Sequence, residues 1–123
     1  MGKKVCLLED DQGIREIIEL ILTEEQYEVK GFSSVKDFMA FDEKGTQDLY
    51  LLDVKLPDGN GIEVCELLKK SEETMSIPVI MMSAHAALSE MKKQCGAEDF
   101  IAKPFDIFDL LKRVDDFVNQ PIV

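Results

Sequence analysis

The chain has 123 residues, 46% apolar and 32% charged, which suits one globular domain and excludes a disordered or fibrous chain. Twenty-five acidic residues against 14 basic ones leave a net charge of −11, so direct nucleic-acid binding by this domain is not expected. No apolar run nears the roughly 20 residues of a membrane span, and the short run after Met1-Gly2-Lys3-Lys4 makes no secretory signal, so the cytoplasm is the expected compartment.

Lys4-Val5-Cys6-Leu7-Leu8 reads as a short buried strand that stops at Glu9-Asp10-Asp11. From Gln12 the period changes: Ile14, Ile17, Ile18, Ile21 and Leu22 form the stripe of an amphipathic helix. Tyr27 and Val29 alternate with charged neighbours, as on an edge strand. Ser34 and Asp37 have capping-box spacing and open a second helix, with Val35, Phe38 and Met39 expected inward. Leu49 to Leu52 is an unbroken apolar run, the mark of a parallel strand covered on both faces, and it ends on Asp53.

After Pro57-Asp58-Gly59-Asn60-Gly61, a third helix carries Val64, Cys65 and Leu68 inward. Ile77 to Met82 is another buried strand, ending at Ser83, and its Pro78 stands where a strand tolerates one. A short helix with Leu88, Met91 and Cys95 inward is expected to stop at Gly96. Phe100-Ile101-Ala102 is the fifth strand, ending at Lys103-Pro104. Asp106 caps the last helix, whose face is Ile107, Leu110, Leu111, Val114, Phe117 and Val118. Strands alternating with helices give an α/β fold with a parallel sheet and helices on both faces. Cys6, Cys65 and Cys95 are widely spaced, lack a C-x-x-C pair and read as core residues.

The strand ends carry Glu9 and Asp10, then Asp53, then Ser83, then Lys103. In a parallel sheet all of these lie on one edge, where open α/β folds place their chemistry. Three carboxylates brought together repel, and one lysine cannot neutralise them, whereas a hard divalent cation such as Mg²⁺ can. A carboxylate beside Mg²⁺, a hydroxyl and an ammonium is a set of parts for phosphoryl transfer, with Asp53 as nucleophile and Ser83 and Lys103 on the transferred oxygens.

The motifs Leu-Leu-Glu-Asp-Asp-Gln-Gly-Ile-Arg at 7–15, Leu-Leu-Asp-Val-Lys-Leu-Pro-Asp-Gly-Asn-Gly at 51–61, Pro-Val-Ile-Met-Met-Ser-Ala at 78–84 and Phe-Ile-Ala-Lys-Pro-Phe at 100–105 resemble the receiver domain of two-component response regulators. The resemblance runs from Lys4 to about Val118 and implies a flavodoxin-like (βα)5 fold, strand order 2-1-3-4-5, in a single domain over 1–123. It implies that Asp53 accepts a phosphoryl group from a histidine kinase or a histidine phosphotransfer protein. Asp10, Asp53 and the Lys55 backbone carbonyl would hold Mg²⁺, Glu9 would act through water, and Ser83 and Lys103 would contact the phosphoryl oxygens.

The resemblance further implies a switch coupling Ser83 to Phe100, where most relatives have tyrosine, and a cis bond at Lys103-Pro104. The output surface would be the fourth helix, fifth strand and fifth helix, addressing a downstream protein or output domain, with a phosphorylation-dependent dimer as a further candidate. Lys55 and His85 are candidates for tuning the phosphoryl lifetime; each has an alternative as a solvated loop residue, and Phe100 as an ordinary core aromatic. The segment from Ser83 to Gly96 is shorter than in many DNA-binding relatives.

Two other classes share these parts. An aspartate-nucleophile phosphatase of the haloacid-dehalogenase type has a second aspartate two residues after the first, where this chain has Lys55. A flavodoxin-like electron carrier cradles a phosphate in its first loop, which Glu9-Asp10-Asp11 would repel. A stand-alone regulator and a receiver cut from a longer protein both fit the sequence.

Overall fold

The computed structural model describes residues 2–84 and 95–119. Its main sheet has five parallel strands, β1 (Lys4–Leu8), β2 (Glu28–Phe32), β3 (Leu49–Asp53), β4 (Val79–Ser83) and β5 (Asp99–Ala102), in the order β2-β1-β3-β4-β5. Side chains alternate between the two faces of a strand. Val5, Leu7, Leu49, Leu51, Ile80 and Met82 enter one core; Cys6, Leu8, Tyr50, Leu52, Val79 and Met81 enter the other. Covered on both faces, the inner strands gain nothing from a polar alternation, which is why they read as unbroken apolar runs.

Helix α1 (Gln12–Glu24) and the C-terminal helix (Ile107–Val118) close the first face with Ile18, Leu22, Leu110 and Val114. Helices α2 (Val35–Ala40) and α3 (Gly61–Lys70) close the second with Phe38, Ile62, Val64, Cys65 and Leu68. Each begins on a side chain that accepts an otherwise unpaired N–H. Asp11 takes the N–H of Ile14 (3.0 Å), Ser34 that of Asp37 (3.2 Å), Asn60 that of Ile62 (2.7 Å) and Asp106 that of Phe108 (2.8 Å). Cys6, Cys65 and Cys95 are buried core residues, and none of them is in a disulfide. Gly96 has φ +76°, the left-handed conformation that a helix-ending glycine supplies. The expected helix before it, with Leu88 and Met91, lies outside the described residues apart from Cys95.

Two apolar residues expected inward face solvent instead. Ile17 is 55% exposed and Met39 44%. Each helical residue turns the side chain by about 100°. The buried line of α1 runs through Ile18 and Leu22, leaving Ile17 on its flank. In the short α2, burial of Phe38 turns the adjacent Met39 away. Tyr27 precedes β2 rather than opening it, and its hydroxyl donates to Asp115 of the C-terminal helix.

The two side chains of α2 give a direct contrast. Phe38→Ala should cost about 3–5 kcal/mol of stability, whereas Met39→Ser should change it by less than about 0.5 kcal/mol. Urea denaturation of both variants checks this, and similar losses would mean that the helix faces the other way.

Candidate functional site

The site is built where β1, β3, β4 and β5 end. Beyond the last residue of β1, the Glu9 N–H still donates to Phe32 O of β2 (3.0 Å), so the backbone stays in line with the sheet. This aims the Glu9 side chain into the protein, where it is fully buried. Asp10 is exposed beside it. Asp53 closes β3 and is 5% exposed; Ser83 closes β4 and is also buried. Lys103 follows β5, and its N–H donates to Ser83 O (2.8 Å), which ties these two residues together. The Lys103–Pro104 peptide bond is cis.

Lys103 is the cation at the centre. Its Nζ donates to Glu9 Oε1 (2.5 Å) and to Asp53 Oδ2 (3.1 Å). One carboxylate oxygen from each of Glu9, Asp10 and Asp53 lies within 4.8 Å of the others. Three carboxylates thus face one ammonium. An oxygen-only donor set of this kind fits a hard divalent cation that keeps part of its water shell, so the residues present suit Mg²⁺.

Burial pushes the Glu9 carboxyl above its ordinary value; the Lys103 ammonium pulls it back down, and Asp53 adds to the rise. Burial alone would lower Lys103, yet its hydrogen bond with Glu9 and the charges of Asp53 and Glu9 outweigh that and hold it above the ordinary lysine value. A cavity of about 770 Å³ opens over the group, lined among others by Asp10, Asp53, Lys55, Ser83 and Lys103.

Gly61 fixes the Asp53 backbone. A Cβ there would lie 1.9 Å from Asp53 O, so only glycine lets α3 begin against the end of β3. The Gly61 N–H donates to Val54 O (2.8 Å). Between them, Lys55–Leu56 pairs with Gly59–Asn60 in a two-residue ribbon. Asp58 reaches from this loop to accept the N–H groups of Val35 (2.8 Å) and Lys36 (2.9 Å) at the start of α2, bonds that hold its carboxyl below the ordinary range.

Sequence reasoning missed both roles. The Gly and Asp positions look like ordinary turn residues, and only the close approach of distant backbone distinguishes them. Of the remaining candidates, Phe100 is half-buried against the core on the α3 side, Lys55 is exposed at the cavity wall, and His85 lies outside the described residues.

The model of the response regulator receiver domain matches residues 5–115. This chain belongs to that family. It is 31% identical over 121 residues to the transcriptional regulatory protein GltR of Pseudomonas aeruginosa, covering 97% of this chain and 50% of that protein. It is 35% identical over 113 residues to the response regulator ArlR of Staphylococcus saprophyticus, covering 90% and 50%. The chain therefore spans about half the length of these curated relatives.

Among solved structures, the response regulator DrrB of Thermotoga maritima superposes with a TM-score of 0.88 at 29% identity, over 98% of this chain and 54% of that one. The BeF3-activated DrrB receiver domain superposes at 0.87 and 29% identity, over 98% and 100%. The chain is a receiver domain of two-component signalling. None of the helices among the described residues is long and apolar enough to cross a membrane.

The raised Glu9 carboxyl makes metal-free stability depend on pH. A carboxyl whose folded value exceeds its unfolded value binds its proton more tightly when folded, so stability falls as pH rises from about 4.5 through the folded value, then levels. The stability of Glu9→Gln relative to wild type should therefore climb with pH across that window and plateau above it. Urea denaturation without metal at a series of pH values measures this; a difference flat with pH would contradict the account.

Proposed function

We propose that this chain accepts a phosphoryl group on Asp53 from a histidine kinase or a histidine phosphotransfer protein, in a reaction that requires Mg²⁺. The observation that carries this is the position of Asp53 in the cavity lining, 3.1 Å from the Lys103 ammonium and with a carboxylate oxygen within 4.8 Å of one from each of Glu9 and Asp10. A bound Mg²⁺ would neutralise charge on the incoming phosphoryl oxygens, held by Asp10, Asp53 and the Lys55 backbone carbonyl, with Glu9 acting through water.

In this reading an Asp53 oxygen attacks phosphorus, the new O–P bond replaces the donor's P–N bond, and the electron pair returns to the donor imidazole. Lys103 leaves Asp53 for a phosphoryl oxygen, which is a short transfer because it already bridges the acids. The buried Ser83 hydroxyl takes a second oxygen. Water later attacks phosphorus, releasing inorganic phosphate and restoring Asp53, so the domain catalyses only its own phosphorylation and dephosphorylation. Lys55 at the cavity wall, and His85, tune how long the phosphoaspartate lasts.

Movement of Ser83 toward the phosphoryl group would be read by Phe100. As phenylalanine it has no hydroxyl, so packing alone separates its two positions. The readout surface is then β5, the C-terminal helix and the segment before Gly96, which address a downstream protein, an output domain or a second copy in a phosphorylation-dependent dimer. The whole chain acts as one receiver unit with its core over about 4–118, in the cytoplasm. GltR is named a transcriptional regulatory protein, and that output belongs to GltR.

Incubation with acetyl phosphate tests the chemistry by intact mass. Wild type should gain one phosphoryl group with Mg²⁺ and none after chelation, and Asp53→Asn should gain none in either condition. An adduct that survives in Asp53→Asn would move the acceptor elsewhere. Mg²⁺-independent labelling would remove the cation from the reaction.

A further inference from the structure

Arg15 lies on α1, where a charged residue is ordinarily solvated. Here its side chain turns back past the start of its own helix. Nη1 donates to Glu9 O (2.8 Å) and reaches Asp10 O (3.4 Å). The side chain is only 19% exposed, and Nε lies 3.8 Å from Glu19 Oε1, one turn further along the helix. The strand beneath makes room for this pair: a Cβ on Gly31 of β2 would meet Glu19 Oε1 at 2.6 Å and Arg15 Cδ at 3.5 Å. A backbone position without a side chain, an arginine and a glutamate together seat one guanidinium against two successive carbonyls.

These carbonyls belong to the residues whose carboxylates face Asp53. Glu9 and Asp10 are adjacent acids that repel, and Asp11 adds a third charge although it is committed to capping α1. Lys103 Nζ (2.5 Å) and the Asp11 N–H (3.2 Å) hold the Glu9 carboxylate, but both act on Glu9 and neither on its neighbour Asp10. A guanidinium on the carbonyls of both peptides restricts their rotation and so the directions of the side chains they carry. Arg15 also has its own backbone fixed, since its N–H donates to Asp11 O (2.9 Å) as the first bond of the helix. The brace is thus anchored to the element that the acidic loop leads into.

We infer that Arg15 is a positioning residue for the cation site: it braces the Glu9–Asp10 backbone so that both carboxylates, with Asp53, share one divalent cation. This rests on the reading of that acidic cluster as a Mg²⁺ site. The sign of the effect sets it apart from a bystander charge. A cation near a cation site weakens metal binding by repulsion, so removing a bystander arginine strengthens binding. Removing a brace weakens binding, even though a positive charge has gone.

The test is isothermal titration of Mg²⁺ alone into the unphosphorylated full chain, for wild type, Arg15→Met, Arg15→Lys and Asp53→Asn, with circular dichroism to check folding. Arg15→Met should bind Mg²⁺ roughly tenfold more weakly, about 1.4 kcal/mol, while remaining folded. Arg15→Lys should recover only part of the loss, because the lysine side chain ends short of the position of Nη1, the one nitrogen that reaches both carbonyls. Binding by Arg15→Met that equals or exceeds wild type would overturn the brace while leaving the cation site standing, provided Asp53→Asn binds more weakly. Wild type that takes up no Mg²⁺ would overturn the cation site, and the brace with it. Should Arg15→Met fail to fold, the comparison of Arg15→Lys with wild type decides, and equal affinity in that pair overturns the proposal.

Discussion

The Lys103 ammonium, held between Glu9 and Asp53, is the interaction on which the site depends. Two carboxylates buried at the end of a hydrophobic sheet would each carry a large desolvation cost if unpaired. The one ammonium lowers that cost without removing it, because Asp10 stands in the same group of oxygens. The metal-free domain therefore holds an excess of negative charge at one edge, concentrated where the strand ends converge. That excess is what a divalent cation would relieve.

The fold supplies this convergence without any local signal joining the residues. Parallel strands all end on the same edge, so residues as distant as Glu9 and Lys103 meet because each follows its own strand. The register then sets the fine placement. Ser83 lies opposite Ala102 across β4 and β5, which leaves Lys103 just beyond the pair and bonded to Ser83 through the backbone. On the other side, the missing side chain of Gly61 lets α3 close against the carbonyl of Asp53. The Asp53 backbone is thus held by β4 on one side and α3 on the other, through backbone contacts that a change of side chain on the surface would not disturb.

Most of the architecture was legible in the sequence because buried strands and amphipathic helices have different periods. The apolar runs ending in Glu9, Asp53, Ser83 and Lys103 announced both the parallel sheet and its chemical edge. Contacts between distant segments were less legible. Ile17 and Met39 share the apolar period of their helices yet lie outside, since the width of the buried face depends on what packs there. Gln26 takes φ 73° after α1, where sequence offers no glycine to mark the position. Asp58 looks like a turn residue and caps another helix; Arg15 looks like a surface charge and reaches two carbonyls. In each case the informative partner is far along the chain or is backbone, which carries no residue identity to read.

In the metal-free domain Lys103 stands in for part of the charge that a cation would bring to Glu9 and Asp53. Mg²⁺ titration of wild type and Lys103→Met at low ionic strength, both shown to be folded, tests it directly. The variant should bind Mg²⁺ more tightly than wild type, because the metal no longer competes with an ammonium for Glu9 and Asp53. Weaker binding by Lys103→Met would contradict it, and would mean that the lysine organises the carboxylates rather than balancing their charge.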